Sequence, residues 1–296
     1  MTDPAVLPQA RTPFAPYTLS LPQGPAIPLL ADSPHSGTKY PDDFGHALPF
    51  EMLRAGEDTH VHELWQSLPA QGATLLAAEF PRSYIDPNRD ADDIDESMLS
   101  APWPGVARPT EKTRLGIGLI WRESGQNGRQ PIYQRQLAPA EVQARIATYH
   151  APYHAAMREQ IESLYARFGA VWHLNLHSMP ANSYEGLKIQ SDRPLADFVL
   201  GDRDGTTCSP EFLQVVADAL RQRGYSVAIN DPFKGVALIA RLGRPAENRH
   251  SIQVEIHRGL YMDELTRERS SGFASLQADL GDVSRDIARY IQEQIA

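Results

Sequence analysis

The chain has 296 residues, 42% of them hydrophobic and 22% charged, with a formal net charge of −9. That length buries a large core as one or two globular domains, and the acidic balance argues against general nucleic-acid binding, which needs a basic face to displace counterions. A lone cysteine, Cys208, excludes an intrachain disulfide and suits a reducing cytosol. No apolar run reaches the ~18–20 residues of a membrane span, and the first eight residues lack the basic and apolar regions of a signal peptide, so a cytoplasmic location is expected.

In chain order, residues 1–25 are Pro-rich and read as a surface arm, with an edge strand around residues 17–19. A buried strand over residues 27–32 runs out into Ser33-Pro34-His35-Ser36-Gly37. A short helix over residues 49–53 precedes a longer one from about residue 57 to 68, whose apolar face is Val61, Leu64, Trp65 and Leu68. The strand over residues 73–80 leads into Pro81-Arg82-Ser83-Tyr84-Ile85-Asp86-Pro87-Asn88-Arg89. Residues 100–135 form a turn-rich insert with one apolar strand at 116–121, and a long insert inside a compact domain is commonly functional. A helix spans residues 138–168, opened by Pro139 and kinked or broken at Pro152. The apolar run at 170–174 enters Leu174-Asn175-Leu176-His177-Ser178-Met179-Pro180, which puts His177 where a central strand opens into a loop. A strand at 197–201, a helix opened by Ser209 and Pro210 and ended at Gly224, strands at 225–230 and 251–256, and an amphipathic helix over 282–295 complete the chain. Strands alternating with helices, without linker or repeat, indicate one α/β domain over residues 26–296. Its expected architecture is a three-layer α/β/α sandwich around a mixed, mostly parallel sheet, of the phosphorylase/hydrolase-like kind.

His35 and His177 both fall where a strand meets a loop, the end of an open α/β sheet at which ligands bind. Two such imidazoles begin a metal site, and a catalytic zinc takes three His or carboxylate ligands and keeps one position open. Glu57-Asp58, at a helix start, is the expected source of the carboxylate, with Asp58 preferred and Glu57 the close second. A helix N-terminus favours an acid there on electrostatic grounds alone, so capping is the competing role. His60 and His62 read as helix-surface histidines outside the site. His173 shares a strand face with His177 but lies about 13 Å along it, too far to bind the same ion, and reads as packed core.

Glu255 interrupts the alternation of Ile252-Gln253-Val254-Glu255-Ile256. A carboxylate inside a core strand is costly unless it is paired or used as a base; the competing role is a surface pair with Arg258. Arg82 and Arg89 flank a Pro/Asp/Asn turn and suit recognition of a substrate carboxylate through two parallel hydrogen bonds. Arg193, Arg203, Lys234 and Arg258 are further candidates. Ser178 lacks the Gly-rich setting of a nucleophilic serine, and Cys208, before a Ser-Pro cap, is the other nucleophile to weigh.

Taken as an ordered set over residues 27–265, these segments resemble the N-formylglutamate amidohydrolase family. The set includes Ser33 to Gly37, Glu57-Asp58, Pro81 to Arg89, Leu176 to Pro180, Gly201-Asp202-Arg203-Asp204-Gly205, Asn230-Asp231-Pro232-Phe233-Lys234-Gly235 and Glu255 to Tyr261. The resemblance implies hydrolysis of N-formyl-L-glutamate to formate and L-glutamate, a step of histidine degradation. More distantly the chain is similar to the zinc carboxypeptidases and aspartoacylases, whose fold is a mixed eight-stranded sheet between helices. In that pattern His177-Ser178 matches the last zinc ligand, Asn88-Arg89 the substrate-binding pair and Glu255 the general base. The departure is the His-x-x-Glu loop: Thr38 stands three residues after His35, so the carboxylate ligand must come from Asp58 or Glu57.

The resemblance therefore implies a divalent metal, zinc, on His35, Asp58 and His177, with Glu255 as catalytic base. Arg89, Asn88 and Arg82 would bind a small acidic substrate. The rival readings are a zinc hydrolase of another N-acyl amino acid or short peptide, a non-catalytic acidic-ligand binder, and a metal-free phosphorylase-like enzyme. Neither a nucleic acid nor a membrane partner is expected, and the sequence leaves the oligomeric state open.

Overall fold

A computed structural model of the chain describes residues 14–125 and 128–296. The first half of the Pro-rich arm expected for residues 1–25 therefore lies outside the described residues. The strands are β1 (Tyr17–Ser20), β2 (Leu29–Ser33), β3 (Thr74–Ala78), β4 (Glu123–Ser124), β5 (Gln130–Pro131), β6 (Val171–Met179), β7 (Phe198–Gly201), β8 (Val227–Ile229) and β9 (Arg249–His257). Seven of them form one sheet in the order β1-β3-β2-β6-β9-β7-β8, and β4 pairs with β5 apart from it. β3, β2, β6 and β9 run parallel, β7 lies antiparallel to β9 and parallel to β8, and β1 is an antiparallel edge strand. The sheet is thus mixed and mostly parallel, as expected, with seven strands among the described residues where the carboxypeptidase resemblance implied eight.

The helices are α1 (Phe50–Leu53), α2 (Val61–Leu64), α3 (Glu111–Arg114), α4 (Pro139–Arg145), α5 (Ala151–Phe168), α6 (Ser183–Gly186), α7 (Pro210–Arg221), α8 (Ala237–Leu242) and α9 (Phe273–Gln294). α2, α7 and α9 bury Val61, Leu64, Phe212, Val216, Leu280 and Ile287 against one face of the sheet. On the other face α4, α5 and α8 contribute Val142, Met157, Ile161 and Leu238 to a second core. These are the three layers. None of the described helices is long and apolar enough to cross a membrane.

The two faces of the central strands differ in kind. Successive side chains of a strand point to opposite faces. Trp172, Leu174 and Leu176 of β6 and Ile252, Val254 and Ile256 of β9 enter the first core. The residues between them, His173, Asn175 and His177 on β6 and Ser251, Gln253 and Glu255 on β9, are buried on the opposite face. The register sets them side by side: His173 with Ser251, Asn175 with Gln253, His177 with Glu255. Asp32 of β2 joins the stripe opposite Asn175.

Buried polar groups need partners, and this stripe supplies its own. The Tyr153 hydroxyl donates to Asp32 Oδ2 at 2.7 Å, Asn175 Nδ2 donates to Asp32 Oδ1 at 2.8 Å, and His173 bridges Asp32 Oδ1 at 2.9 Å and Ser251 Oγ at 2.8 Å. Burial raises the cost of a charge on Asp32, but these hydrogen bonds and the neighbouring imidazole outweigh it and hold the carboxyl below its ordinary range. His173 is thus a satisfied core histidine.

Three local expectations are corrected. The helix expected from residue 57 to 68 is only α2, followed by a 3₁₀ turn over Leu68–Gln71, and His60 at its N-cap is left-handed with φ 68°. Glu57 and Asp58 therefore lie in the loop before it, not in its first turn. The strand expected at 116–121 is a single bridge between Ile117 and Trp121, because Arg122 N–H turns back onto Gly116 O at 2.9 Å. Pro152 does not break its helix: a π-helical turn over Ile146–His150 stands just before it, and Ala151 N–H bonds Ile146 O.

Candidate metal centre and active site

Parallel strands bring several loops to one end of the sheet. β2 ends in the His35 loop, β3 in the loop carrying Arg82 to Arg89, and β6 and β9 present His177 and Glu255 near their carboxyl ends. Gly37 closes the first loop against β3's exit, where a Cβ would come within 2.3 Å of Phe80 O, so any other residue would push the two loops apart. Asp58 N–H donates to His35 O at 2.9 Å and so ties a third loop to the first.

The result is a buried group of His35, Asp58 and His177 with ligand atoms all within 4.8 Å of one another. His35 Nδ1 and His177 Nδ1 are 3.0 Å apart, and Asp58 Oδ2 is 3.1 Å from the second and 3.4 Å from the first. Acceptors beside the outer nitrogens favour protons there. His35 Nε2 lies 2.7 Å from Asp86 Oδ1, and His177 Nε2 lies 2.7 Å from Asn175 Oδ1, both acceptors. With a proton on each Nε2, both Nδ1 lone pairs point at a carboxylate oxygen and at each other. Three inward-facing acceptors repel unless a cation lies among them, which is the donor chemistry of a metal site.

The supporting carboxylate, Asp86, is saturated. It also accepts from Asn88 N–H at 2.8 Å, Arg82 Nη2 at 3.0 Å and Trp121 Nε1 at 3.3 Å. Burial opposes its ionisation, but Arg82, His35 and Arg89 overcome this and hold the group well below the usual carboxylate range. On Asp58 burial is likewise opposed, by the guanidinium of Arg258. Its second oxygen, Oδ1, accepts from Arg258 Nη2 at 3.0 Å and Ser178 Oγ at 3.2 Å.

Glu255 is different. It sits in register beside His177, accepts one side-chain hydrogen bond among the described residues, 2.7 Å from Gln253 Nε2, and burial pushes its carboxyl up to about 7. His177 opposes that rise and Asp58 adds to it. A carboxyl that changes charge near neutrality beside three convergent ligand atoms is suited to moving protons.

The sequence profile of the N-formylglutamate amidohydrolase family matches residues 27–262 of this chain. The chain belongs to that family. A crystal structure of N-formylglutamate amidohydrolase from Ralstonia eutropha JMP134 superposes with a TM-score of 0.93 at 61% identity, covering 95% of this chain and 100% of the other. N-formylglutamate deformylases from Pseudomonas aeruginosa PAO1 and Pseudomonas putida are 30% and 31% identical, over 91% and 83% of this chain and 92% and 85% of their own. This amidohydrolase is a hydrolase of an amide bond.

In the amidohydrolase the other residues singled out from sequence separate cleanly. Glu57 is turned away from the cluster, held by Tyr40 Oη at 2.7 Å, Thr59 Oγ1 at 3.0 Å and Arg54 Nε at 3.1 Å. Arg258 pairs with Asp58, not with Glu255. Arg89 is buried, its Nε donating to Ile117 O at 3.1 Å and Nη1 to Asn88 O at 3.0 Å, so it braces the Asn88 loop. Arg82 stacks over Trp121, 4.9 Å from the ring centroid. Asn88 Nδ2 is 2.9 Å from His177 Nε2, while its Oδ1 is buried without a hydrogen-bond partner among the described residues. Turning that amide over would let Oδ1 accept from Nε2–H and would leave Nδ2 unpaired; either way one amide atom is left for a ligand.

His60 bonds Glu63 and Arg267 O, and neither it nor His62 joins the cluster. Arg193 and Lys234 form surface pairs with Asp231 and Asp204, and Arg203 is exposed. Burial pushes the Cys208 thiol up to about 12, which removes it as a nucleophile.

Sequence reading missed Asp86, Asn175, Asp32 and Gln253 as groups that orient the cluster. For Asn175 and Gln253 the signal was present: every second residue of two apolar strands is polar, His-Asn-His in one and Ser-Gln-Glu in the other. A cleft of about 850 Å³, lined in part by Trp121, Ile117 and Arg258, opens onto this region and is sized for a small substrate.

Proposed function

We propose that this amidohydrolase cleaves N-formyl-L-glutamate to formate and L-glutamate with a divalent metal, zinc, held by His35 Nδ1, Asp58 Oδ2 and His177 Nδ1. The observation that carries the reading is the convergence of those three atoms with Glu255 in register beside His177. N-formylglutamate is the substrate by which its relatives from Pseudomonas and Ralstonia are known. When bound, such an ion supplies Lewis acidity, polarising an amide carbonyl and making water a stronger acid.

The chain's own residues do the rest. Glu255 accepts a proton from the attacking water and returns it to the departing amine nitrogen, so a single carboxyl serves as base and then acid. Asp86 and Asn175 keep protons on the two Nε2 atoms, so that the Nδ1 atoms stay available. Arg258 and Ser178 hold Asp58 by its outer oxygen, leaving Oδ2 to face inward. Arg82 and Arg89 supply positive charge beside the cleft, and Asn88 supplies its unpaired amide atom, for the substrate's α-carboxylate and amide.

The test is formate release from N-formyl-L-glutamate, against N-acetyl-L-glutamate and other N-formyl amino acids, by protein whose metal has been quantified. One equivalent of zinc and preference for N-formylglutamate are expected. Turnover undiminished after complete chelation would remove the metal from the mechanism, and preference for another acyl group would move the substrate.

The orienting shell makes its own prediction. Asn175→Leu keeps the shape but removes the acceptor for His177 Nε2–H, and should weaken zinc binding roughly 10- to 100-fold. The dissociation constant against a competing chelator measures this; unchanged affinity would mean that Asn175 does not select the tautomer.

A further inference from the structure

The cleft wall carries a partly buried cation that forms no ion pair among the described residues, and we infer that Lys112 reads the side-chain carboxylate of the glutamate moiety. This rests on the deformylase reading above and goes beyond it by naming the residue that makes the enzyme selective for a second acid group.

Lys112 is on α3 and lines the same cleft as Trp121 and Arg258. Those two side chains also reach Asp86 and Asp58 at 3.3 and 3.0 Å, so the wall that carries Lys112 touches one acid of the metal-ligand cluster and the acid that supports His35. The helix that bears it is fixed. Thr110 caps it, accepting from Lys112 N–H at 3.2 Å, and Thr110 N–H is in turn held by Asp93 Oδ1 at 2.7 Å. Lys112 O accepts from Ile117 N–H at 2.9 Å, and Ile117 O accepts from Arg89 Nε at 3.1 Å. Lys112 is therefore locked to the Asn88-Arg89 loop.

Its charge is the anomaly. Of the cations on or beside this cleft, Arg258 has Asp58, Arg82 has Asp86 and Arg122 has Asp95, while Arg114, Arg129 and Lys188 are exposed. Among the described residues Lys112, only partly exposed, forms no ion pair. Burial first, and then Arg89, Arg82 and Arg129, weaken its hold on the proton, while adjacent Glu111 pulls the other way. A partly desolvated ammonium among like charges gains from an incoming anion what it lacks in the free protein. Exposed Arg114 and Lys188 on the same cleft are solvated instead.

Substrate chemistry assigns the anion. In N-formylglutamate the α-carboxylate is bonded to the carbon next to the scissile nitrogen and stays beside Arg82 and Asn88. The second carboxylate extends three bonds further from that carbon, out along the cleft. Lys112 stands on that side, as a point charge on a flexible stem.

The experiment compares Lys112→Met and Lys112→Arg with the parent enzyme on N-formyl-L-glutamate and on N-formyl-L-glutamine, which keeps the shape but not the charge. Lys112→Met should raise KM for the glutamate substrate roughly 10- to 100-fold with little change in kcat, the signature of lost uniform binding. KM for the glutamine substrate should stay within about threefold, and Lys112→Arg should restore part of the loss. Glutarate binding should weaken in parallel while butyrate binding does not. An equal loss on both substrates, or an unchanged KM for N-formylglutamate, would overturn the role of Lys112 and leave the deformylase reading standing. No turnover of N-formylglutamate by the zinc-loaded parent enzyme would instead overturn that reading.

Discussion

If the proposed mechanism holds, Glu255→Gln should bind zinc as the parent does and lose activity by roughly 10²- to 10⁴-fold in kcat, the range set by removal of a positioned proton carrier. Gln preserves size and can still meet Gln253, so the strand and the His177 register are undisturbed. What disappears is the ability to take a proton. Metal content by emission spectroscopy and formate release under saturating substrate check the two halves of the claim. Activity retained within threefold would exclude Glu255 as base.

The same residue sets a pH dependence. Burial pushes the Glu255 carboxyl from 4.5 up to about 7, so the folded protein binds its proton more tightly than the unfolded chain. The stability this contributes is fully present below 4.5 and is lost as pH rises through about 7. Metal-free Glu255→Gln, which cannot ionise, should therefore gain on the metal-free parent between pH 5 and pH 8, by up to roughly 3 kcal/mol. Activity runs the other way, because only ionised Glu255 accepts a proton. kcat/KM should rise with pH along a limb ending at about 7, or lower once a cation stands nearby, and the residual activity of the Gln variant should lack that limb. Opposite signs for stability and activity at one group are the mark of a carboxyl held uncomfortably for use.

How much of this was legible beforehand depends on whether a signal was local. His35 and His177 announced themselves because each follows an apolar run and precedes a breaker, and strand polarity sends both to one end of a parallel sheet. Glu255 was visible as a charge in a core strand. Partner choice was not visible. Whether Arg258 meets Glu255, three residues away in sequence, or Asp58, 200 residues away, depends on how the loop after β9 turns, and only the fold decides it. The same holds for Glu57 and Asp58, adjacent in sequence yet facing opposite ways: one is claimed by Arg54 and Tyr40, the other by two imidazoles. The misplaced helix start at residue 57 follows from reading acids before an apolar periodicity as a first turn, whereas left-handed His60 delays the helix and leaves Asp58 free to reach inward. The orienting groups on β6 and β9 were legible in principle, since alternation had already identified one face as apolar and the polar residues between had to be satisfied somewhere.

Asp58→Ala should be the most damaging single change, because this carboxylate serves two partners through its two oxygens. In the proposed centre Oδ2 completes the ligand set, so stoichiometric zinc binding should be lost. Activity should fall by roughly 10³- to 10⁵-fold, the effect of several kcal/mol of electrophilic stabilisation at 1.36 kcal/mol per factor of ten. Oδ1 neutralises Arg258, whose side chain is 4% exposed. Stranding that guanidinium in the interior should cost about 3–5 kcal/mol even in the metal-free protein. The two consequences separate in the double variant. Asp58→Ala with Arg258→Met removes the orphaned charge, so much of the stability should return while zinc binding and turnover do not. Glu57→Gln is the control, expected to disturb the Arg54 and Tyr40 contacts but to leave zinc stoichiometry at one. Chemical denaturation of the metal-free proteins, together with zinc titration, reads both. Zinc bound normally by Asp58→Ala, or lost in Glu57→Gln at intact stability, would hand the ligand role to the neighbouring acid.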